Sequence, residues 1–176
     1  MLNFNQSKNR LAIVGCALAG LALTGSANAA NPESVTAEVE FVAPVTITEN
    51  NALQFGLLDV NMINLESIVI APNGAVADPA SRVLGGSQAA ANLTVTATEA
   101  EAITILVDNV FSNTGYSLSG FTCNYNAGAD TACDGAGYSE TSVAAATMTV
   151  GATLTGNGLA LPGVVNGSFD VTVTYQ

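Results

Sequence analysis

Four side chains in one short stretch carry the oxygen atoms that a calcium ion takes as ligands in proteins. They are Asn124, Asn126, Asp130 and Asp134. Their spacing does not match that of an EF-hand loop. Asn and Asp also favour turns, because their side chains bond to nearby backbone groups. A calcium site and a solvated, turn-rich loop are therefore alternatives here. The loop is favoured, and we predict no metal or other cofactor.

Two carboxylates, Glu99 and Glu101, are close enough in sequence to suggest acid–base chemistry. They fall at a predicted hairpin tip, where exposed acidic side chains serve solubility rather than catalysis. The sequence contains no histidine, and its only lysine is Lys8. Histidine triads, histidine metal sites, Schiff-base chemistry and the phosphate-binding lysine of a P-loop are therefore excluded. We predict that the protein is not an enzyme.

Two cysteines, Cys123 and Cys133, form an even pair, while the third, Cys16, lies in the apolar N-terminal stretch. A disulfide that closes a loop of about ten residues contributes roughly 2.5 to 3 kcal/mol to stability by the chain-entropy estimate. Such a bond persists in an oxidising place such as the periplasm or the cell surface. We predict that the pair is bonded; two free buried thiols are the alternative.

The N-terminal residues have the three parts of a secretory signal peptide. Lys8 and Arg10 supply positive charge, residues 11–23 form an apolar run, and residues 27–29 are a cleavage site of the A-x-A type. The run is shorter than the roughly 20 residues of a membrane span, so we predict export without membrane insertion. The alternative is that Cys16 belongs to a lipidation motif and is acylated.

The chain that follows the predicted cleavage site is strongly acidic. After residue 29, Arg82 is the only basic side chain and stands against fourteen carboxylates, so the net charge is near −13. Nucleic acid and anionic lipid surfaces repel a protein of this charge. About 147 residues remain, enough for one domain with one core. We therefore predict one exported domain that binds no nucleic acid.

Apolar residues recur with a period of two at both ends of this acidic chain, as is typical of strands with one face on a core. The first such segment is residues 34–42, and its apolar face is formed by Val35, Ala37, Val39 and Phe41. The last is residues 168–175, and its apolar face is formed by Phe169, Val171, Val173 and Tyr175. A terminal strand either closes its own sheet or pairs with a neighbouring molecule, and the pattern leaves both open.

The middle of the chain predicts further strands separated by turn residues. Residues 93–97 and 102–107 are expected to pair as a hairpin around residues 99–101, and residues 147–155 to form a core strand. Residues 112–142 are rich in Gly, Asn, Asp and Ser and are expected to be mostly loop. Seven to nine short strands at this spacing predict an all-β, immunoglobulin-like β-sandwich.

Several short segments in a fixed order carry a family resemblance. They are residues 36–41, Val45-Thr46-Ile47-Thr48, Leu53-Gln54-Phe55-Gly56, Leu84-Gly85-Gly86 before a Thr/Val strand, and residues 167–176. Taken together they resemble the bacterial domain-of-unknown-function 4402 family along nearly the whole chain after the signal peptide. The resemblance implies a β-sandwich without suggesting a reaction.

The C-terminal segment also resembles that of chaperone–usher pilus subunits. It has alternating apolar residues, a penultimate tyrosine, Tyr175, and a glycine fourteenth from the end, Gly163. This resemblance implies an incomplete immunoglobulin-like fold whose last strand borders a groove. A periplasmic chaperone would fill the groove first, and the N-terminal strand of the next subunit would then replace it.

These features lead to the hypothesis of a fimbrial, pilus-like subunit at the cell surface that polymerises by strand donation. Residues 1–29 would be the signal peptide, residues 30–43 the donor extension and residues 44–176 the sandwich domain. The expected interface residues are Val35, Ala37, Val39 and Phe41 on the donor, and Gly163, Phe169, Val171, Val173 and Tyr175 at the groove. The expected partners are further copies of the chain, a periplasmic chaperone and an outer-membrane usher. The alternative is a non-polymerising surface or matrix module, such as an adhesin or coat protein.

Overall fold

The computed structural model describes residues 34–176. The predicted signal peptide, residues 1–29, and the lipidation alternative at Cys16 lie outside the described residues. Glu40–Gln176 form one compact unit, which does not include residues 34–39. Within residues 34–176, no helix has the length and apolar character needed to cross a membrane.

The described residues contain twelve β-strands and no helix. The strands are β1 (Thr46–Asn51), β2 (Leu57–Leu58), β3 (Ser67–Ile70), β4 (Val76–Ala77), β5 (Val83–Gly85), β6 (Ala91–Thr96), β7 (Ala102–Phe111), β8 (Tyr116–Tyr125), β9 (Thr131–Ala132), β10 (Tyr138–Thr141), β11 (Ala145–Gly156) and β12 (Ser168–Tyr175). Four of them (β2, β4, β5 and β9) are only two or three residues long, and the number of longer strands, eight, lies within the predicted seven to nine. The all-β prediction is confirmed.

The strands form two main antiparallel sheets. In the larger sheet β11 is central, with β6 and β3 along one side and β8 on the other, while β1, β4 and β9 lie at the edges. The smaller sheet has the order β10-β7-β12, and β2 and β5 form a separate pair. Buried side chains of both sheets share one core, including Val95 and Met148 from the larger sheet and Ile105 and Val173 from the smaller. The fold is a β-sandwich.

The predicted hairpin between residues 93–97 and 102–107 is wrong. β6 pairs with β1 and β11 in the larger sheet, whereas β7 pairs with β10 and β12 in the smaller sheet. The connection carries the chain from one sheet to the other, and the buried Ser142 hydroxyl supports it by accepting a hydrogen bond from the Glu101 N–H (3.0 Å). Alternation shows which side chains face a core but not which strand lies alongside.

The prediction that residues 112–142 are mostly loop is also wrong, because this region contains β8, β9 and β10. Three alternating residues of β8, Phe121, Cys123 and Tyr125, are buried in the core. Their pattern is obscured in sequence by the flanking Gly120, which has a positive φ of 58°. The predicted disulfide is confirmed: Cys123 and Cys133 are bonded, with 5.7 Å between their Cα atoms, and both are fully buried.

The alternating segment before β1 forms no strand in the single chain, since residues 34–45 have no regular secondary structure. Its side chains are highly exposed, at 89% for Val35, 71% for Val39 and 91% for Phe41. The strand predicted over residues 34–42 is therefore absent from the isolated chain. No described strand pairs with this segment, and its exposed backbone groups can bond to water.

Candidate strand-binding groove

A groove of about 1520 Å³ lies between β1 and β12. β1 is the edge strand of the larger sheet and β12 is the edge strand of the smaller sheet. No described strand pairs with the outer side of either. The groove is therefore bordered by two rows of backbone groups that are free to bond to an additional strand.

The half of the groove along β1 and β12 is here called the strand half. Its walls carry Ile47 and Leu53 on one side and Phe169 and Val171 on the other, and Leu93 of β6 also lines it. These side chains belong to the main core or pack against it. Phe169 also reaches the deepest part of the core, because its ring lies 4.9 Å from the ring of Phe121, centroid to centroid. The strand half is thus an opening into the hydrophobic core.

The other half, here called the loop half, lies beyond the start of β12. It is lined by Leu57, Leu58, Met62, Tyr116, Leu161 and Val164. Met62 is buried with Ile68 and Leu154 in a second small cluster, against which Leu58 and Tyr116 pack. Partial burial raises the pKa of the Tyr116 phenol above its usual value of 10. The loop half is apolar as well.

The wall that begins with β1 continues past the end of that strand. Gln54 and Ala89 exchange two backbone hydrogen bonds of 2.9 Å, and the β2–β5 pair follows. Gly56 lies between them with a φ of +83°, and a Cβ there would come within 2.6 Å of the Gly85 carbonyl oxygen. Only glycine permits this close approach, and it lets one wall run the full length of the groove.

One ion-pair cluster holds the loop half together. Arg82 donates to Glu66 through Nε and Nη2, both at 2.8 Å, and to Asp59 through Nη1 at 3.1 Å. These bonds join the start of β5 to the loop before β3. The Arg82 hydrogen bonds lower the pKa of Glu66, and hydrogen bonds from the Asn61 backbone and side chain are the largest cause of the lowered pKa of Asp59. The single arginine of the described residues thus has a structural role.

The end of the groove near Tyr175, here called the tyrosine end, is tied to the chain that precedes β1. The Tyr175 hydroxyl donates to the Ala43 carbonyl and accepts from the Thr98 N–H, each at 2.7 Å. The Ala43 N–H donates to the Thr98 hydroxyl, also at 2.7 Å. Three strand ends are therefore joined around one tyrosine side chain.

The structure places the five C-terminal site residues predicted from sequence in different surroundings. Gly163, Phe169 and Val171 line the groove. Val173 is instead buried in the main core at 7% exposure, and Tyr175 forms the tie at the tyrosine end. The donor residues Val35, Ala37, Val39 and Phe41 are all exposed.

The wall of the groove opposite β12 was not predicted from the sequence. Its apolar residues Ile47, Leu53, Phe55 and Leu57 are visible in the sequence as short alternating runs. Nothing in the sequence indicated that these runs face β12, because β1 and β12 are far apart in the chain and do not pair. The tie between Ala43 and Tyr175, 132 residues apart, was invisible for the same reason.

Three of the four side chains considered for calcium bond to residues of β8 or of the turn that follows it. The Asn124 side-chain amide donates to Asp130 Oδ1 at 2.8 Å and to the Gly128 carbonyl at 2.7 Å. Asp134 Oδ2 accepts from the Phe121 N–H at 3.3 Å. In residues 34–176 no group of three or more His, Cys, Asp or Glu residues is arranged to hold a metal ion.

Comparison with known proteins identifies the family of this sandwich. The family model described as "Domain of unknown function (DUF4402)" matches residues 45–175, which include all twelve strands. The chain therefore belongs to the DUF4402 family. No curated protein and no solved structure matched the chain. The family defines the sandwich domain without assigning it an activity.

Proposed function

We infer that the protein is a structural subunit of an extracellular, fimbria-like filament, assembled by donation of a β-strand from one copy to the next. The observation that carries this proposal is the open apolar groove between β1 and β12, two edge strands of different sheets. An added strand would bond to these edges through its backbone and place alternate side chains in the groove. The sandwich is then an incomplete immunoglobulin-like fold that a second copy completes.

The segment before β1 has the properties that this groove requires. Its apolar side chains alternate with polar ones, and Val35, Val39 and Phe41 are among the most exposed large apolar side chains of the described residues. The distance from residue 35 to residue 41 in an extended strand is about 20 Å, compared with about 23 Å from Ser168 to Tyr175 along β12. The segment therefore matches the edge in both pattern and length.

Burial of this segment offers enough free energy to bind. A fully buried Val or Phe side chain contributes roughly 1.5 to 3 kcal/mol by transfer from water. Four such positions are available, of which Ala37 is the smallest. Ordering a flexible segment has an entropic cost, which the backbone hydrogen bonds to β12 and the apolar contacts together offset. Head-to-tail addition that does not close into a ring produces a filament.

The proposal includes an exported, surface location and two kinds of helper. The predicted signal peptide and the disulfide both fit an oxidising compartment. An open apolar groove with two unpaired edges is prone to aggregate. A periplasmic chaperone that fills the groove, and an outer-membrane usher that releases the subunit, would protect it until assembly.

We also infer a non-catalytic role. Two of the carboxylates that line the groove are engaged in structure, since Asp59 accepts a hydrogen bond from Arg82 and Asp170 accepts one from Asn109. The groove itself is lined mainly by aliphatic and aromatic side chains. Such a surface suits an extended apolar segment.

A pair of matched triple variants tests the proposal. In the first, Val35, Val39 and Phe41 are all changed to Ser; in the control, Thr36→Ser, Glu38→Gln and Glu40→Gln alter only the polar face. Cells producing each variant are sheared, and the released material is examined by electron microscopy and size-exclusion chromatography. We expect filaments from the wild type and the control, and none from the apolar-face variant.

The same experiment identifies the alternative. If the wild-type chain is recovered only as a stable monomer, the filament proposal is wrong and the protein is a non-polymerising surface module. If the apolar-face variant polymerises as well as the control, filaments form but the donated segment lies elsewhere in the chain.

A further inference from the structure

The two ends of the groove differ in a way that constrains how a second copy can enter. At the tyrosine end, Ala43 is fixed by Tyr175 and Thr98. At the opposite end, here called the loop end, the groove is bordered by loops that carry exposed apolar side chains. These include Leu57 at 65% exposure, Leu161 at 72% and Val164 at 92%. The loop end therefore carries exposed apolar surface within the groove itself.

Each copy begins its own donor segment at the tyrosine end, because Ala43 is held there and the exposed Phe41 precedes it by two residues. If an incoming segment also entered at the tyrosine end, like ends would meet and assembly would stop at two copies. Continued addition in one direction requires unlike ends to meet. The incoming segment must therefore enter through the loop end.

This requirement determines the direction of the added strand. Entry through the loop end leaves Phe41, the donor residue nearest its own domain, in the loop half. Val35 then lies deeper, in the strand half, towards the tyrosine end. β12 runs from the loop end at Ser168 to the tyrosine end at Tyr175, so the added strand runs in the opposite direction.

We propose that the donor segment of a second copy binds antiparallel to β12 and that the loop half of the groove is a binding pocket for its Phe41 side chain. This inference rests on the proposed function and adds the orientation and the specificity pocket of the same site. Side-chain sizes agree with it. Phe41 is the largest of the four donor residues, and the loop half adds the second cluster of Met62, Ile68 and Leu154 beneath it.

Photo-crosslinking within assembled filaments tests the orientation. The full-length chain is produced with a benzophenone amino acid in place of Phe41, and separately in place of Val35, each mixed with wild-type chain so that filaments still form. After irradiation, crosslinked peptides are mapped by mass spectrometry. We expect position 41 to crosslink to residues 57–62, 114–118 and 161–166, and position 35 to crosslink to residues near Ile47 and Val171.

The alternatives give distinct results. An exchanged pattern, with position 35 at the loop end, means that the strand is parallel to β12 and overturns the proposal while leaving strand donation intact. Filaments without crosslinks to the groove from either position overturn both the orientation and the site. Absence of filaments from wild-type chain overturns the proposed function itself.

Filament dissociation tests the Phe41 pocket without an unnatural residue. Phe41 is 91% exposed in the single chain, so its substitution should not alter the stability of the domain. We expect Phe41→Ala filaments to release subunits in denaturant about 100-fold faster than wild type, and Val35→Ala filaments about 10-fold faster, in proportion to apolar area lost. The release rate of Phe41→Leu filaments should lie between those of Phe41→Ala and wild-type filaments. Equal rates for Phe41→Ala and wild type would show that the loop half holds no Phe41 side chain.

Discussion

The two long sides of the sandwich are completed in different ways. On one side, the chain itself bridges the sheets at Cys133: its N–H donates to the Phe121 carbonyl of β8 at 3.1 Å, and its carbonyl accepts from the Val107 N–H of β7 at 2.7 Å. The disulfide to Cys123 adds a covalent bond. On the other side, β1 and β12 both end their sheets, and an apolar groove separates them.

This difference indicates a division of roles within one domain. Buried side chains and internal bonds on the disulfide side provide stability to the single chain. The groove side leaves backbone groups and apolar side chains for an external strand. Side-chain changes on the disulfide side should therefore lower the stability of the monomer, whereas changes on the groove side should act mainly on assembly.

The largest effect is expected from a matched pair of phenylalanines. Phe121 on the disulfide side is 1% exposed, whereas Phe55 in the groove is only partly buried. Phe121→Ala should lower the free energy of unfolding by about 3 to 5 kcal/mol, as large core truncations do. Phe55→Ala should lower it distinctly less. Urea unfolding of the two purified variants measures both. A larger loss from Phe55→Ala would show that the groove side carries the stability.

Removal of the disulfide should have the next largest effect. Changing both Cys123 and Cys133 to Ala should lower the free energy of unfolding by roughly 2.5 to 3 kcal/mol, because the unfolded chain gains the freedom of a loop of about ten residues. Urea unfolding under oxidising conditions measures it. A double variant as stable as wild type would contradict the view that this side depends on the covalent bridge.

A substitution at the tyrosine end should lower the free energy of unfolding by an intermediate amount. Tyr175→Phe removes the hydroxyl that bonds to Ala43 and Thr98, at a cost of about 1 to 2 kcal/mol for two hydrogen bonds. Tyr138→Phe is the matched control, because the buried Tyr138 hydroxyl has no hydrogen-bond partner within the described residues. Its removal should be neutral or stabilising. Equal losses from the two variants would mean that the tie at Ala43 contributes nothing.

Lowering the pH should produce the smallest change in stability, and this change should arise in the loop half. Hydrogen bonds lower the pKa of Asp59, Glu66 and Asp78 below their usual values of 3.8 to 4.5. Their contribution is therefore complete above about pH 5 and is lost as the pH falls through the lowered values. The urea midpoint should fall between pH 5 and pH 3 in wild type and fall less in Arg82→Met. Identical pH profiles would show that the Arg82 cluster contributes no pH-dependent stability.

The sequence by itself determined several features because they are local or compositional. Period-two alternation placed β11 and β12 and identified the inward face of β12, since a strand shows alternate residues to opposite sides. A single pair of cysteines after the N-terminal stretch allowed only one disulfide. The strong excess of acidic residues argued against binding to nucleic acid, and the lack of histidine excluded histidine-based catalysis and metal binding.

Only the tertiary structure decided which strands lie next to one another. Alternation is the same whichever neighbour a strand has, so β6 and β7 looked like a hairpin although they belong to different sheets. β8 was hidden by its turn-forming residues. The groove depends on the relative placement of β1 and β12, and the tie depends on residues 132 positions apart. Such contacts arise when distant parts of the chain pack together, and no local pattern records them.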